Sequence, residues 1–166
     1  MRRSDQLAAM QIQPNADAFP AETARLAALR SLGIVGTLPE SAFDDIAMMA
    51  ALSCDAPMAL ISFVEQDRQW FKASVGIALQ ETPLDVSFCA HAIRQKGLFV
   101  VPDASCDPRF VCNTLVTGEP NLRFYAGAVI RTDEGLPLGT ICVLDDQPRP
   151  GISDAQERIL EALARS

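Results

Sequence analysis

One histidine and five cysteines are the residues with the most chemistry to offer. Cys89 stands two positions before His91, and Cys106 and Cys112 follow in a loop-rich stretch. Thiolate and imidazole groups so placed are raw material for a metal centre, a haem ligand or a thiol nucleophile. A zinc site needs four ligands in tetrahedral range, and the chain has neither a C-x-x-C pair nor another common zinc spacing, so no metal and no cofactor are expected. His91 is read instead as a polar residue that fixes its loop. No nucleophile, base and orienter gather around it, so no catalytic residue is assigned. The alternative is a thiol-based redox enzyme or sensor using Cys89, Cys106 or Cys112. Arg109, between the last two, is the cation that would favour a thiolate there.

The bulk composition narrows the classes further. The chain has 166 residues, 49% of them hydrophobic, which suits a single domain able to fill its own core. A formal net charge of −7 without a basic patch argues against nucleic acid or an anionic membrane as partner. No apolar run reaches membrane-spanning length, and none follows Arg2-Arg3, so a cytoplasmic protein without a targeting segment is expected. An odd number of cysteines fits reduced thiols rather than a disulfide framework.

The elements that position these residues follow from periodicity and punctuation. Residues 1–19 are polar and are expected to form a flexible lead-in, with one domain over 20–166. Glu22–Leu32 places Leu26, Leu29 and Leu32 on one helical face and stops at Gly33. Glu40–Leu52 is a second helix with Phe43, Ile46, Met49 and Ala50 on one side. Met58–Val64 and Gln69–Val75 form a strand pair, and Gly76–Asp85 is turn-rich. Ser87–Gln95 is a short helix capped by Ser87, and Leu98–Val101 a short strand. Asp103–Phe110 is a turn and 111–121 a loop. Phe124–Arg131 and Leu138–Asp145 make a hairpin around a Gly135 turn. Ser153–Ala164 is the last helix, with Ser153 and Gln156 spaced as a capping box and Ile159, Leu160 and Leu163 as its apolar stripe. The fold class is α+β: an antiparallel β-sheet with N- and C-terminal helices on one face, and loops and short helices over a pocket on the other.

A short-loop sheet supporting long crossover segments is suited to holding something small. The candidate ligand pocket comprises Trp70, Phe88, Cys89, His91, Phe110, Arg123, Tyr125 and Cys142. Strand alternation puts Phe124, Ala126, Ala128 and Ile130 on one face and Tyr125, Gly127, Val129 and Arg131 on the other; Leu138, Thr140, Cys142 and Leu144 oppose Gly139, Ile141 and Val143. The small residues Ala126, Gly127 and Ala128 are expected to leave room above the sheet. Asp85, Asp103 and Arg109 are read as loop-ordering residues.

The segments Asp67-Arg68-Gln69-Trp70-Phe71-Lys72, Glu81-Thr82-Pro83, Ser87-Phe88-Cys89-Ala90-His91-Ala92-Ile93, Val101-Pro102-Asp103-Ala104, Asp107-Pro108-Arg109-Phe110, Arg123-Phe124-Tyr125-Ala126-Gly127-Ala128 and Gly139-Thr140-Ile141-Cys142-Val143-Leu144-Asp145 occur in an order that resembles the GAF domain family. The resemblance runs from about Glu22 to Ala164. It is to the bacterial signalling branch that precedes histidine kinase or diguanylate cyclase modules. It implies a sensory domain that binds an unknown small molecule or relays a signal to an output module. The amphipathic terminal helices are, on their own pattern, expected to pair with those of a second copy in a homodimer. It also brings two sharper chemistries: methionine sulfoxide reduction by loop cysteines, and bilin attachment at a Cys-His pair. Cys89-Ala90-His91 is not that pair, the reductase motifs are absent, and the Asn-Lys-Phe-Asp-Glu signature of cyclic-nucleotide-binding relatives is missing. Leu84 stands where the family commonly has Arg, which removes a charge near the pocket.

Overall fold

The structure, a computed structural model, describes residues 18–165, with side chains from residue 22. The lead-in expected over residues 1–19 therefore falls almost wholly outside the described residues. Its last two positions already belong to helix α1, Ala18–Leu32, in which Pro20 sits in the first turn, where a missing N–H costs nothing. Helix α2 is Ser41–Ser53. The strands are β1 (Met58–Val64), β2 (Arg68–Val75), β3 (Glu81–Pro83), β4 (Phe99–Val101), β5 (Phe124–Arg131) and β6 (Pro137–Asp145). Two short helices, α3 (Phe88–Ala92) and α4 (Thr114–Thr117), lie between them, and α5 (Asp154–Arg165) closes the fold.

The six strands form one sheet in the order β3-β2-β1-β6-β5-β4, and every pairing is antiparallel. β1 and β6 therefore occupy the centre, and both are buried almost end to end. The expected α+β arrangement is the one found. On one face α1, α2 and α5 pack Leu29, Ala47, Ala50, Ala51, Leu160 and Ala164 against Ala59, Ile61, Phe63, Phe124, Ala126 and Val143. On the other face α3, α4 and the loops pack Phe88, Phe110, Val116 and Leu122 against Leu60, Phe71, Tyr125, Cys142 and Leu144.

Several local expectations are revised. β3 adds an edge strand inside the stretch read as turns, because β2 offers it an unpaired edge at Arg68–Trp70. The helix read as Ser87–Gln95 ends at Ala92, with Ser87 as its cap: the Ala90 N–H donates to Ser87 Oγ at 3.0 Å. The loop 111–121 contains the single turn α4, whose N-cap Asn113 accepts from the Leu115 N–H. In α1 it is Arg25, not Leu32, that is buried; its guanidinium donates to the Val64 carbonyl at 2.7 Å, while Leu32 is exposed. Met49 is exposed, and Ala47 takes its place in the core. Ile159 is likewise exposed, whereas Leu160 is fully covered.

Two bulges change which face a residue serves. The β5–β6 register shifts between Ile130 and Arg131, skipping Leu138. Leu138 therefore packs with the helix-side cluster rather than with Thr140 and Cys142, as strict alternation has it. The β1–β2 register shifts between Ile61 and Ser62, skipping Lys72. Lys72 accordingly leaves the loop face and is buried toward the helices, where its ammonium donates to Thr37 Oγ1 at 2.7 Å and to the Leu38 carbonyl at 2.6 Å. The capping box of α5 is formed in both directions, Gln156 N–H to Ser153 Oγ at 3.1 Å and Ser153 N–H to Gln156 Oε1 at 2.9 Å.

Candidate functional site

The loop-covered face of the sheet is built from the centre outward. Tyr125 on β5, Thr140 and Cys142 on β6 and Ser62 on β1 point to this face, and α3 lays Cys89 over them. Three hydroxyls converge on Cys89 Sγ: Ser62 Oγ at 3.0 Å, Thr140 Oγ1 at 3.0 Å and Tyr125 Oη at 3.3 Å. Ser62 and Thr140 are themselves 3.1 Å apart. All five residues are buried. Cys142 lies in the same buried cluster, two positions along β6 from Thr140.

Burial alone would push the Cys89 thiol up, but the hydrogen bonds from Cys142, Ser62, Thr140 and Tyr125 outweigh it and bring the pKa down to about 7. The same burial, with the Cys89 charge added, pushes both Cys142 and Tyr125 up. The two adjacent thiols are thus driven in opposite directions, Cys89 toward thiolate and Cys142 toward thiol.

Gly127 makes this cluster geometrically available. A Cβ on Gly127 would sit 2.8 Å from Tyr125 Cζ and clash with its hydroxyl, so the tyrosine ring folds back over Gly127 to reach Cys89. The room expected above Ala126, Gly127 and Ala128 is therefore occupied: Tyr125 fills the space over Gly127, while Ala126 and Ala128 belong to the helix-side core.

Aromatic rings seal the layer above. Phe88 and Phe110 stack with centroids 4.1 Å apart and planes 5° from parallel, and Phe88 lies 5.4 Å from the Tyr125 ring. Beneath Phe88 a cavity of about 20 Å³ remains, lined by Leu60, Gln69, Phe71, Leu79, Cys89 and Tyr125 among others. That is room for about one water molecule. Its wall contains no Lys, Arg, His, Asp or Glu. Its polar members are already engaged: Ser87 Oγ donates to Gln69 Oε1 at 2.6 Å, and Gln69 Nε2 donates to Thr82 Oγ1 at 3.2 Å.

Of the residues read as pocket from the sequence, Phe88, Cys89, Phe110, Tyr125 and Cys142 come together here. His91 stands exposed at the rim, edge-on to Phe110 at 5.0 Å. Its imidazole pKa is lowered, first by partial burial and then by the charges of Arg109 and Arg94, against which Asp107 works. Trp70 is on the opposite face, packed against the helix-side core, because its neighbours Gln69 and Phe71 take the inward positions on β2. Arg123 does not face the cavity; it donates to the Val116 and Leu122 carbonyls, both at 2.9 Å, and so holds α4 in place.

The loop-ordering residues divide similarly. Asp103 accepts from the Ser105 N–H and hydroxyl, and Arg109 forms a two-point pair with Asp107 while covering Phe99 and Phe110. Asp85 is exposed, and among the described residues it joins none of these bonds. Cys106 and Cys112 are both exposed. Cys106 donates to the Asp103 carboxylate, and Arg109 is committed to Asp107 rather than to either thiol. Among the described residues no group of His, Cys, Asp and Glu could hold a metal ion.

Ser62, Gln69 and Thr82 escaped the sequence reading. A lone serine within the wholly apolar run Met58–Val64 was the available signal, since a hydroxyl on a doubly covered strand must find a partner.

A six-stranded antiparallel sheet with terminal helices on one face and a loop-sealed aromatic layer on the other defines a small α+β domain. The chain belongs to the GAF domain family, whose profile matches residues 38–166. It is 44% identical over 144 residues to a cyclic di-GMP phosphodiesterase of Pseudomonas aeruginosa, a match covering 87% of this chain and 24% of that protein. The chain thus spans about a quarter of the length of this curated relative. Among solved structures, it is similar to the GAF domain of an Acinetobacter phosphoenolpyruvate-protein phosphotransferase (15% identity, TM-score 0.62, 91% and 90% of the two chains). A second is the type II free methionine-R-sulfoxide reductase of Thermoplasma acidophilum (17% identity, TM-score 0.61, 75% and 86%). At such identities these likenesses show the fold alone. Among the described residues no helix is long and apolar enough to cross a membrane.

Proposed function

We propose that this domain is a non-catalytic regulatory module of a bacterial signalling protein, which takes up a small, largely apolar molecule beneath the Phe88–Phe110 stack or relays conformation through that layer. The observation that carries this reading is the chemistry of the cavity wall. It is apolar, holds no cation for a phosphate, and has its inward polar groups already paired. A ligand would gain free energy by burying apolar surface rather than by ion pairing.

The cavity is nearly closed, so binding would select a loop arrangement in which the Phe88–Phe110 stack parts. Only a ligand with greater affinity for the open arrangement shifts that balance. The shift would pass through β5 and β6 to α5 and α2 on the far face. Leu32, Met49, Leu52 and Ile159 are exposed on the helical layer, which supports a homodimer through these helices. The match to part of a longer cyclic di-GMP phosphodiesterase supports a place beside an output module of that kind.

Native mass spectrometry of the protein purified without added ligand, compared with the same sample denatured, tests the reading. A non-covalent mass excess lost on denaturation is the expected result. An empty protein whose melting temperature is unmoved by a panel of small apolar compounds overturns it. A thiol oxidoreductase using the loop cysteines predicts instead that Cys106→Ser or Cys112→Ser abolishes function, and the carboxylate beside Cys106 does not support it.

A further inference from the structure

The regulatory reading leaves one cluster unused, the buried pair Cys89 and Cys142 within its cage of hydroxyls. Buried reduced thiols in a core normally sit among apolar groups, as Cys54 does on the helix side, where burial pushes its thiol up. Cys89 instead receives hydrogen bonds from three hydroxyls, with Cys142 as its immediate thiol neighbour. Cys89 also forms part of the wall of the water-sized cavity.

We infer that Cys89 and Cys142 form a peroxide-reactive dithiol, with Cys89 as the sulfur that is attacked first and Cys142 as the one that resolves it. Hydrogen peroxide, little larger than water, is the oxidant whose size suits the cavity. Cys89 sulfur attacks one peroxide oxygen, the O–O bond breaks, and the departing oxygen takes up a proton and leaves as water. Cys89 becomes a sulfenic acid. Cys142 sulfur then attacks the Cys89 sulfur, the S–O bond breaks, and the hydroxide leaves with the Cys142 proton as a second water. Two thiols lose two electrons in forming one disulfide, and one peroxide is reduced to two waters. The hydroxyl cage serves the first step: Ser62, Thr140 and Tyr125 stabilise negative charge on Cys89. Cys142, on β6, and Tyr125, on β5, are the titratable groups facing Cys89, and both stay protonated.

This differs from a redox role for the loop cysteines. Cys106 and Cys112 are exposed, and Cys106 neighbours a carboxylate. The consequence of the disulfide is mechanical, because it would tie α3, the lid over the cavity, to the central strand β6.

The test uses the full chain carrying Cys106→Ser and Cys112→Ser, two exposed positions. The folded protein is treated with hydrogen peroxide, then denatured and alkylated without reductant. The expected product has lost about two mass units. Digestion yields a Cys89–Cys142 linked peptide that dithiothreitol separates, with Cys54 alkylated. In a further Cys142→Ala variant, a dimedone probe labels Cys89. The inference is overturned if Cys89 and Cys142 are both recovered as free thiols at peroxide doses that oxidise Cys106 and Cys112 in the parent chain. It is equally overturned if Cys89 links to Cys54. An empty protein whose melting temperature no small apolar compound moves would sink the ligand reading and leave this result untouched, so the two failures are distinguishable.

Discussion

Truncating Phe110 to alanine should both destabilise the domain and open its cavity. Phe110 is 1% exposed, stacked on Phe88 at 4.1 Å, and in edge contact with Phe99 and His91. Removing a ring so enclosed costs about 3–5 kcal/mol, the transfer term plus the void left behind. The stack itself accounts for about 0.5–1.5 kcal/mol of that. For a domain of this length the melting temperature should fall by roughly 6–20 °C. Urea denaturation of Phe110→Ala against the parent measures the loss directly, with an unchanged m-value showing that both unfold as one unit. The variant should also be rescued by benzene, which replaces the missing ring. Saturation at a hundredfold excess over the dissociation constant returns about 2.7 kcal/mol. A loss under about 1 kcal/mol without benzene rescue would show that the loop layer collapses freely, and would refute the claim that the stack is what seals the cavity.

Three other outcomes follow from particular contacts. Gly127→Ala should displace Tyr125 from Cys89, costing about 1–3 kcal/mol as overpacking does, and Cys89 should then titrate at higher pH in an alkylation-rate profile because it has lost a donor. Ser153→Ala should cost about 1 kcal/mol in urea unfolding by removing one half of the α5 capping box. Burial works to raise the Asp145 carboxyl, but the Arg149 guanidinium and the Gln147 N–H outweigh it and leave it below its ordinary 3.8. The stabilisation is therefore complete above 3.8 and is lost as the pH falls below it. Arg149→Met should flatten that acid limb of the stability profile, and should also loosen the Cys54 and Asp55 carbonyls that Arg149 holds at 2.6 Å.

The elements whose causes are local were legible in the chain. Ser87 and Ser153 announce helix starts because a cap is a contact within four residues. The hairpin β5–β6 is announced by two β-rich runs around Gly135, whose φ of 88° a turn can demand. Alternation along β5 correctly separated Tyr125 from Phe124 and Ala126, because the side-chain period of a strand is intrinsic. Five members of the candidate site, Phe88, Cys89, Phe110, Tyr125 and Cys142, were named from the sequence and do meet.

Tertiary structure decided the rest, and each case has a non-local cause. The faces of Leu138 and Lys72 depend on bulges set by a partner strand's register, which no periodicity in one strand records. Trp70 went to the helix side because Gln69 and Phe71 face the loops, in register with Thr82 and Ser62 on the neighbouring strands. Arg123 found backbone carbonyls rather than a cavity, because α4 lies against it only in the folded chain. The Cys89 environment is the extreme example. Its three hydroxyl donors are 27, 36 and 51 residues away along the chain. Residue type showed that a thiol was present; only the crossing of α3 over three strands determined that it is buried, hydrogen-bonded and paired with a second thiol.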